Sequence, residues 1–169
     1  MTRAMGHAFG SAIALPGLVR LARDRGDDHY AAAAFHESLQ LWASIGDRET
    51  IAQPLAGLGE LASVYGQAET AAALVGAVDT LAHEAGDFVL QRCSRFAGDN
   101  RDRAAERARA ALGEERFAHL RTVGRSLPLE EAVAIAATVT ISAGQTAPPP
   151  SSLATGPLAP RSPAPTMRR

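Results

Sequence analysis

The chain repeats itself at an interval of 40 residues. Aligned without gaps, residues 15–47 and 55–87 are identical at 12 of 33 positions. The most informative identities are four glycines spaced 20 residues apart, at Gly26, Gly46, Gly66 and Gly86. A glycine just past the end of a helix can adopt the left-handed conformation that closes the helix. The spacing therefore predicts a series of short helices, each ended by a glycine.

Between these glycines, apolar residues recur at the spacing of one helix face. The clearest examples are Leu74, Val75, Val78, Leu81, Ala82 and Ala85, then Ile51, Leu55, Leu58 and Tyr65, then Phe35, Leu39 and Trp42. Asp47 and Asp87 are placed to cap the elements that follow them. Pro16 and Pro54 predict bends or later helix starts. Two antiparallel helices in each of two units, about residues 8–47 and 48–87, indicate an all-α fold, an α-solenoid of helical hairpins.

The spacing within a unit is tetratricopeptide-like. Leu58-Gly59, Ala71 and Val75 match the leucine-glycine pair, the small residue and the apolar residue of that repeat, although the period of 40 exceeds the usual one of about 34. After a connector over 88–100, we predict capping helices over 101–112, 114–123 and 129–141, with Phe117, Leu120 and Val123 facing inward. Residues 1–142 then form one helical-repeat domain. Residues 143–169, rich in proline, serine and threonine, are predicted to be a disordered tail.

Composition excludes several kinds of chemistry. All 17 basic residues are arginine, so the chain has no lysine for a phosphate-binding loop or a Schiff base. The net charge of −1 creates no overall field toward nucleic acid or a membrane. A single cysteine, Cys93, cannot form an internal disulfide, which favours a cytoplasmic location. No export signal or membrane span is predicted.

No motif predicts a catalytic residue, a cofactor or a metal ion. The stretch Gly57–Ala62 fits the dinucleotide fingerprint G-x-G-x-x-A, but it falls within a helix instead of at a strand-to-helix turn. Gly57 and Gly59 are better explained by close helix packing. His36-Glu37 and His83-Glu84 begin like the zinc motif H-E-x-x-H and lack its second histidine.

The densest basic stretch is Arg92–Arg109. Asp99, Asp102 and Glu106 interleave with its arginines, and pairs such as Asp99–Arg103 are four residues apart. Interleaved signs cancel the local field, so a salt-bridged, solvated helix face is favoured over a nucleic-acid surface.

Residues 37–81, "ESLQLWASIG" through "GAVDTL", and 111–136, "ALGEERFAHLRTVGRSLPLEEAVAIA", resemble the C-terminal helical-repeat region of large ATP-dependent LuxR-type bacterial transcription regulators. AfsR-like regulators carry similar helices. The resemblance implies a fold of helical repeats that normally lies between an ATPase domain and a helix-turn-helix domain. This chain is expected to be an orphan or truncated part lacking both. The lysine-free composition suggests an actinobacterial source. Pro128 stands where the family usually has a serine cap.

Three classes of function follow: a non-catalytic protein-interaction or regulatory module, a regulator that contacts nucleic acid through Arg92–Arg109 or the tail, and an enzyme of unrecognised type. The first is the main prediction. Its partner is expected to be a protein: a second copy, an intact regulator or another helical protein. The expected interaction surface is the apolar face of the first helix, which is left without a preceding repeat. It comprises Phe9, Ile13, Leu15, Leu18 and Leu21.

Overall fold

A computed structural model of the chain is all-helical over the residues it describes, which are Val19, Ala22, Arg23 and residues 25–48, 50–85 and 95–141. These ranges contain no strand, so the predicted all-α class is confirmed for them. None of the helices within them has the length and apolarity needed to cross a membrane. The helices are α1 Asp28–Ile45, α2 Ala52–Val64, α3 Ala68–Ala85, α4 Arg95–Leu112, α5 Glu114–Ser126 and α6 Leu129–Ala137.

The glycine-terminated helices predicted from the repeat are present. Gly26, Gly46 and Gly66 have φ values of 76°, 77° and 80°, the left-handed conformation that closes a helix. At the end of α1, the Gly46 amide donates to the carbonyl oxygen of Trp42 at 3.0 Å. Asp47 then caps the turn leading into α2, because its carboxylate accepts from the Thr50 amide at 2.9 Å. Gly86 and Asp87 lie outside the described residues.

Helix α2 is the central element of the fold. Nine consecutive residues, Pro54–Ala62, are buried, which requires neighbours on every side. Those neighbours are α1, α3, α4 and α6. Pro54 falls in the first turn of α2, where a missing amide proton costs little, so the sequence expectation of a late helix start there is confirmed. Pro16 lies outside the described residues.

The glycines of α2 allow close packing, as predicted. A Cβ atom at Gly57 would overlap the ring of Phe35 on α1. A Cβ atom at Gly59 would lie 3.4 Å from the Cβ of Leu74 on α3. The glycines of the dinucleotide-like stretch are therefore explained by the packing of α1 and α3 against α2.

The helices after α3 pack onto the pair α2 and α3. Helix α4 lies along α2 and also contacts α3, while α5 lies along α3. Helix α6 returns to contact α1, α2 and α3. This return contact differs from a strictly linear stack, in which each unit meets its neighbours alone.

Helices α3 and α5 contact each other through two glycines, one on each helix, and each glycine lies against the backbone of the other helix. A Cβ atom at Gly76 would overlap the carbonyl oxygen of Arg121, and one at Gly124 would overlap the carbonyl oxygen of Ala73. The two backbones therefore touch with no side chain between them. The Thr80 hydroxyl donates to the carbonyl oxygen of Arg125 at 2.9 Å and secures the same crossing.

Three sequence expectations for the C-terminal helices are corrected. Helix α4 begins at Arg95, so its first turns occupy part of the predicted connector, and Asn100 is fully buried. Val123 is 42% exposed, not inward, because the buried face of α5 is centred on Phe117 and Gly124.

The last helix ends at Ala137 instead of Ile141. Beyond it, the carbonyl oxygen of Val139 accepts a hydrogen bond from the His36 side chain, at 2.9 Å from Nε2. That contact replaces the bond a continued helix would make.

We expect Gly76→Ala and Gly124→Ala each to lower the free energy of unfolding by about 1–3 kcal/mol or more, because the added methyl meets backbone that cannot rotate away. Urea denaturation measures this change. The matched control is Gly98→Ala in α4, where a Cβ atom meets nothing within 4 Å. Helix propensity alone should stabilise that variant by about 0.5–1 kcal/mol. Equal effects at the three glycines would contradict the close crossing.

Candidate functional site

The predicted interaction surface, Phe9, Ile13, Leu15, Leu18 and Leu21, lies outside the described residues. It stays a prediction from the sequence. Of the same N-terminal region, the structure describes Val19 and Ala22, both buried, and Arg23.

The most distinctive chemical group in the described residues is a buried carboxylate held by arginines. The side chain of Glu60, on α2, is 1% exposed. Arg103 donates from Nε to its Oε1 at 2.7 Å, and Arg107 donates to the same oxygen at 3.2 Å. Arg23 binds it from the other side through both terminal nitrogens, at 3.0 Å for Nη2 to Oε1. We call these four residues the Glu60 cluster.

Further polar groups extend the Glu60 cluster toward α1 and α4. Arg103 also donates to the Asn100 side-chain oxygen at 2.7 Å. On the other side, Arg23 Nε lies 3.6 Å from an oxygen of Asp28, and the Tyr65 hydroxyl donates to Asp28 at 3.0 Å. The cluster joins three segments of the chain through charged hydrogen bonds, which are the strong kind, and Asp28 adds α1 through its ion pair with Arg23 and its bond from Tyr65.

The electrostatics fix the protonation states of Glu60, Arg23 and the neighbouring Tyr65. Burial by itself would raise the pKa of Glu60, but hydrogen bonds and charge from Arg23 and Arg103 outweigh it and hold the pKa below its ordinary value. Burial by itself would lower the pKa of Arg23, but the hydrogen bond and charge of Glu60 outweigh this effect and raise the pKa above its ordinary value. Burial and the bond to Asp28 raise the pKa of the Tyr65 phenol to about 12. These charges are fixed across the physiological range, so the cluster is not poised to exchange protons.

Helix α3 carries a second buried acid with its own arginines. The side chain of Asp79 is 6% exposed, and Arg121 on α5 approaches it to 2.6 Å. Arg101 on α4 and Arg125 on α5 lie 3.6 Å and 3.9 Å from it. Arg101 also bonds Asp102 at 2.7 Å. Each helix of the central pair therefore holds one buried acid, and the helices packed on it supply the arginines.

The basic stretch Arg92–Arg109 is only in part the solvated face that its spacing predicts. Arg101 and Arg109 form surface pairs, the latter with Glu114 at 2.8 Å while its guanidinium lies over the ring of Phe117. Arg103, expected to pair with Asp99, instead reaches Glu60 on another helix. Arg92 lies outside the described residues.

Sequence reasoning missed the Glu60 cluster, although two signals were present. Glu60 is the one charged residue in the otherwise apolar run Pro54–Ala62, and such a residue requires a partner when buried. On α4, Asn100, Ala104 and Ala108 recur every four residues as a buried stripe. Arg103 and Arg107 flank that stripe, which places them beside whatever the stripe covers.

The remaining candidates are the histidines and possible metal ligands in the described part of the chain. Its residues include no group of three or more histidine, cysteine or acidic side chains able to hold a metal ion. His29, His83 and His119 are exposed, and His36 bonds the backbone of Val139. What the arrangement does chemically is fix helices against one another by paired charges.

We expect Glu60→Gln to lower the free energy of unfolding at neutral pH by about 3 kcal/mol, because it leaves partly buried arginines without their counter-charge. The folded-state pKa of Glu60 is lowered, so its contribution is present above about pH 4.5 and is lost as the pH falls through the folded-state value. Stability measured by denaturation from pH 7 down to pH 3 should therefore fall less steeply in the variant.

Glu84→Gln is the matched control for this prediction. Glu84 pairs with Arg48 on the surface at 2.8 Å, with both side chains about half exposed. Its loss should cost less than about 1 kcal/mol. An effect at Glu60 no larger than that at Glu84 would show that the cluster does not hold the fold together.

Comparison with known proteins identifies no relative: no family model matches the chain, and neither the curated proteins nor the solved structures contain a match. A functional assignment therefore rests on the chain's own residues and contacts.

Proposed function

We propose that this chain is a non-catalytic helical-repeat module that binds protein, of the tetratricopeptide-like kind found in LuxR-type ATP-dependent transcription regulators. The observation that carries the proposal is the way one helix pair packs on the next. Helix α4 lies along α2, and α5 lies along α3, so corresponding helices of the two pairs meet. Packing of one helical hairpin on the next through corresponding helices is the arrangement expected of neighbouring repeats in an α-solenoid.

The glycine pattern supports the same interpretation. Gly46 and Gly66 end the helices of the sequence repeat, and Gly113 has a φ of 79° between α4 and α5. The pair α4 and α5 then acts as a third hairpin, although its sequence no longer resembles the first two. In a solenoid, faces that do not meet a neighbouring repeat are free to bind partners, which suits a scaffold.

The charges support a scaffold over an enzyme. The most buried acid, Glu60, has three arginine partners, and Asp79 has three within 4.0 Å. A general acid or base needs a pKa near the working pH, whereas the pKa of Glu60 is moved away from neutrality. Buried charges of this kind fix helix positions.

A protein partner is favoured over nucleic acid for a similar reason. Phosphate binding requires arginines that can release counterions and meet the backbone. Arg101, Arg103, Arg107 and Arg109 are each within hydrogen-bonding distance of an acidic side chain. The module is proposed to act in the cytoplasm on a second copy, an intact regulator or another helical protein.

The N-terminal apolar surface predicts self-association or docking. We expect Phe9→Glu and Ile13→Glu to reduce association of the chain, measured by light scattering at high concentration, because a buried charge is costly in an apolar interface. Val123→Glu is the control, since Val123 is an exposed apolar residue on α5. The prediction of an exposed apolar surface would be wrong if the unmodified chain were strictly monomeric and bound no hydrophobic dye.

A second test separates the function classes. The chain is expected neither to hydrolyse ATP nor to bind it tightly, because it has no lysine for the phosphates. It should not shift the mobility of DNA at physiological salt. Micromolar ATP affinity in calorimetry would revive the enzyme class, and a salt-dependent DNA shift would revive the nucleic-acid class.

A further inference from the structure

The last described segment of the chain crosses back over the first helices. We call residues 129–141, which comprise α6 and the non-helical stretch after it, the C-terminal arm. Its helix packs on α1, α2 and α3. Ala132, Ala136 and Val139 are its buried side chains. The arm is therefore a short apolar stripe laid across helices that are distant from it in sequence.

The end of the arm is bound through its backbone. The carbonyl oxygen of Val139 accepts from Nε2 of His36 on α1 at 2.9 Å. The carbonyl oxygen of Thr140 accepts from the side-chain amide of Gln67, in the α2–α3 turn, at 2.7 Å. Val139 is buried, Thr140 is exposed and Ile141 packs against the core, so the side chains on either side of Thr140 face the helices.

Two residues join the arm to α5. Leu127 has a ψ of 135° and Pro128 a ψ of 150°, so both are extended. The proline prevents α5 from continuing into α6 and also keeps the preceding residue out of the helical region. The arm is thus a separate element on a short hinge, and its packing partners are α1–α3.

The arm leaves an open groove against α3. The groove, of about 460 Å³, lies between α3 and α6, lined by Glu69, Thr70, Ala73, Ala134, Ile135 and Thr138. A helix of nine residues does not persist alone in water, so α6 depends on this docking for its structure. By contrast, α5 touches the backbone of α3 at Gly76 and Gly124.

We propose that the arm is exchangeable, and that the surface of α1–α3 beneath it accepts the arm of a second copy of this chain. A second copy is the partner whose fit is already given, because the surface binds this very sequence within one chain. The short hinge keeps the chain's own arm at an effective concentration on the order of millimolar. Exchange therefore dominates where copies are held together or where the chain's own arm cannot fold back.

The arm surface goes beyond the proposed function and is distinct from the N-terminal apolar surface. The arm contains neither Phe9 nor Ile13. Association through the arm should therefore be insensitive to Phe9→Glu, and association through the N-terminal surface should be insensitive to changes in the arm. Failure of one idea can be told from failure of the other.

The first experiment deletes Leu127 and Pro128 from the full chain carrying Phe9→Glu and Ile13→Glu, so that the N-terminal surface does not contribute to association. The deletion allows α5 and α6 to form one helix and keeps the arm from folding back. We expect this variant to be a dimer in light scattering at about 100 µM. At that concentration the arm of a chain with the original hinge stays on its own α1–α3, because the hinge holds it there at a higher effective concentration. Adding Val139→Asp should return the deletion variant to a monomer. A monomeric deletion variant, or a dimer that survives Val139→Asp, would overturn the proposal.

The second experiment supplies the arm as a peptide. A fluorescent peptide of residues 129–141 is titrated into the full unmodified chain and into the full Val139→Asp chain. We expect at least tenfold tighter binding to the variant, because its own arm no longer competes. A peptide carrying Val139→Asp is the control and should bind neither chain. Circular dichroism checks that the Val139→Asp chain is folded, and the deletion variant, whose own arm cannot fold back, takes its place if it is not. Equal binding to both chains, or no binding, would show that the arm does not exchange.

Discussion

A carboxylate inside the central helix is the constraint on which the rest of the structure depends. Helix α2 is buried along Pro54–Ala62, so Glu60 loses its water on folding and needs positive partners. Burying the Glu60 carboxylate without a partner would cost far more free energy than burying it together with the arginines that surround it. Those arginines come from α4 and from Arg23. The position of α4 over α2 is therefore set by charge as well as by apolar contact.

The same arrangement recurs on the neighbouring helix. Asp79 on α3 draws Arg101 from α4 and Arg121 from α5. Alanine-rich faces such as those of α3 and α4 offer little shape to define how far one helix slides along another, whereas an arginine bound to a single carboxylate allows one register. We therefore infer that the two buried acids fix how far each helix is shifted along its neighbour, because charged hydrogen bonds are directional.

Tight and loose contacts are unevenly distributed. The α3–α5 crossing brings backbone onto backbone at Gly76 and Gly124, while the C-terminal arm leaves a groove against α3. Local opening is expected first where buried apolar contact is least. The arm exchange that we propose would take place at this periphery and would leave the α3–α5 contact in place.

The sequence by itself determined the helical class and the ends of the early helices. Gly26, Gly46 and Gly66 end their helices because left-handed backbone is available to glycine at little cost, a local property that needs no knowledge of the fold. It also determined that Gly57 and Gly59 serve packing, because they stand within a helix pattern.

The tertiary structure alone decided which residues share a site. Arg103 binds Glu60, 43 residues away, instead of the nearby Asp99. Val123 turned outward because Gly124 takes the contact with α3. The last helix ends at Ala137, and two residues later the carbonyl oxygen of Val139 accepts a hydrogen bond from His36, 103 residues away. Local sequence patterns determine which face of a helix is buried and where the helix ends. Which residues pair over long range depends on how the helices pack on one another, and no local pattern specifies that packing.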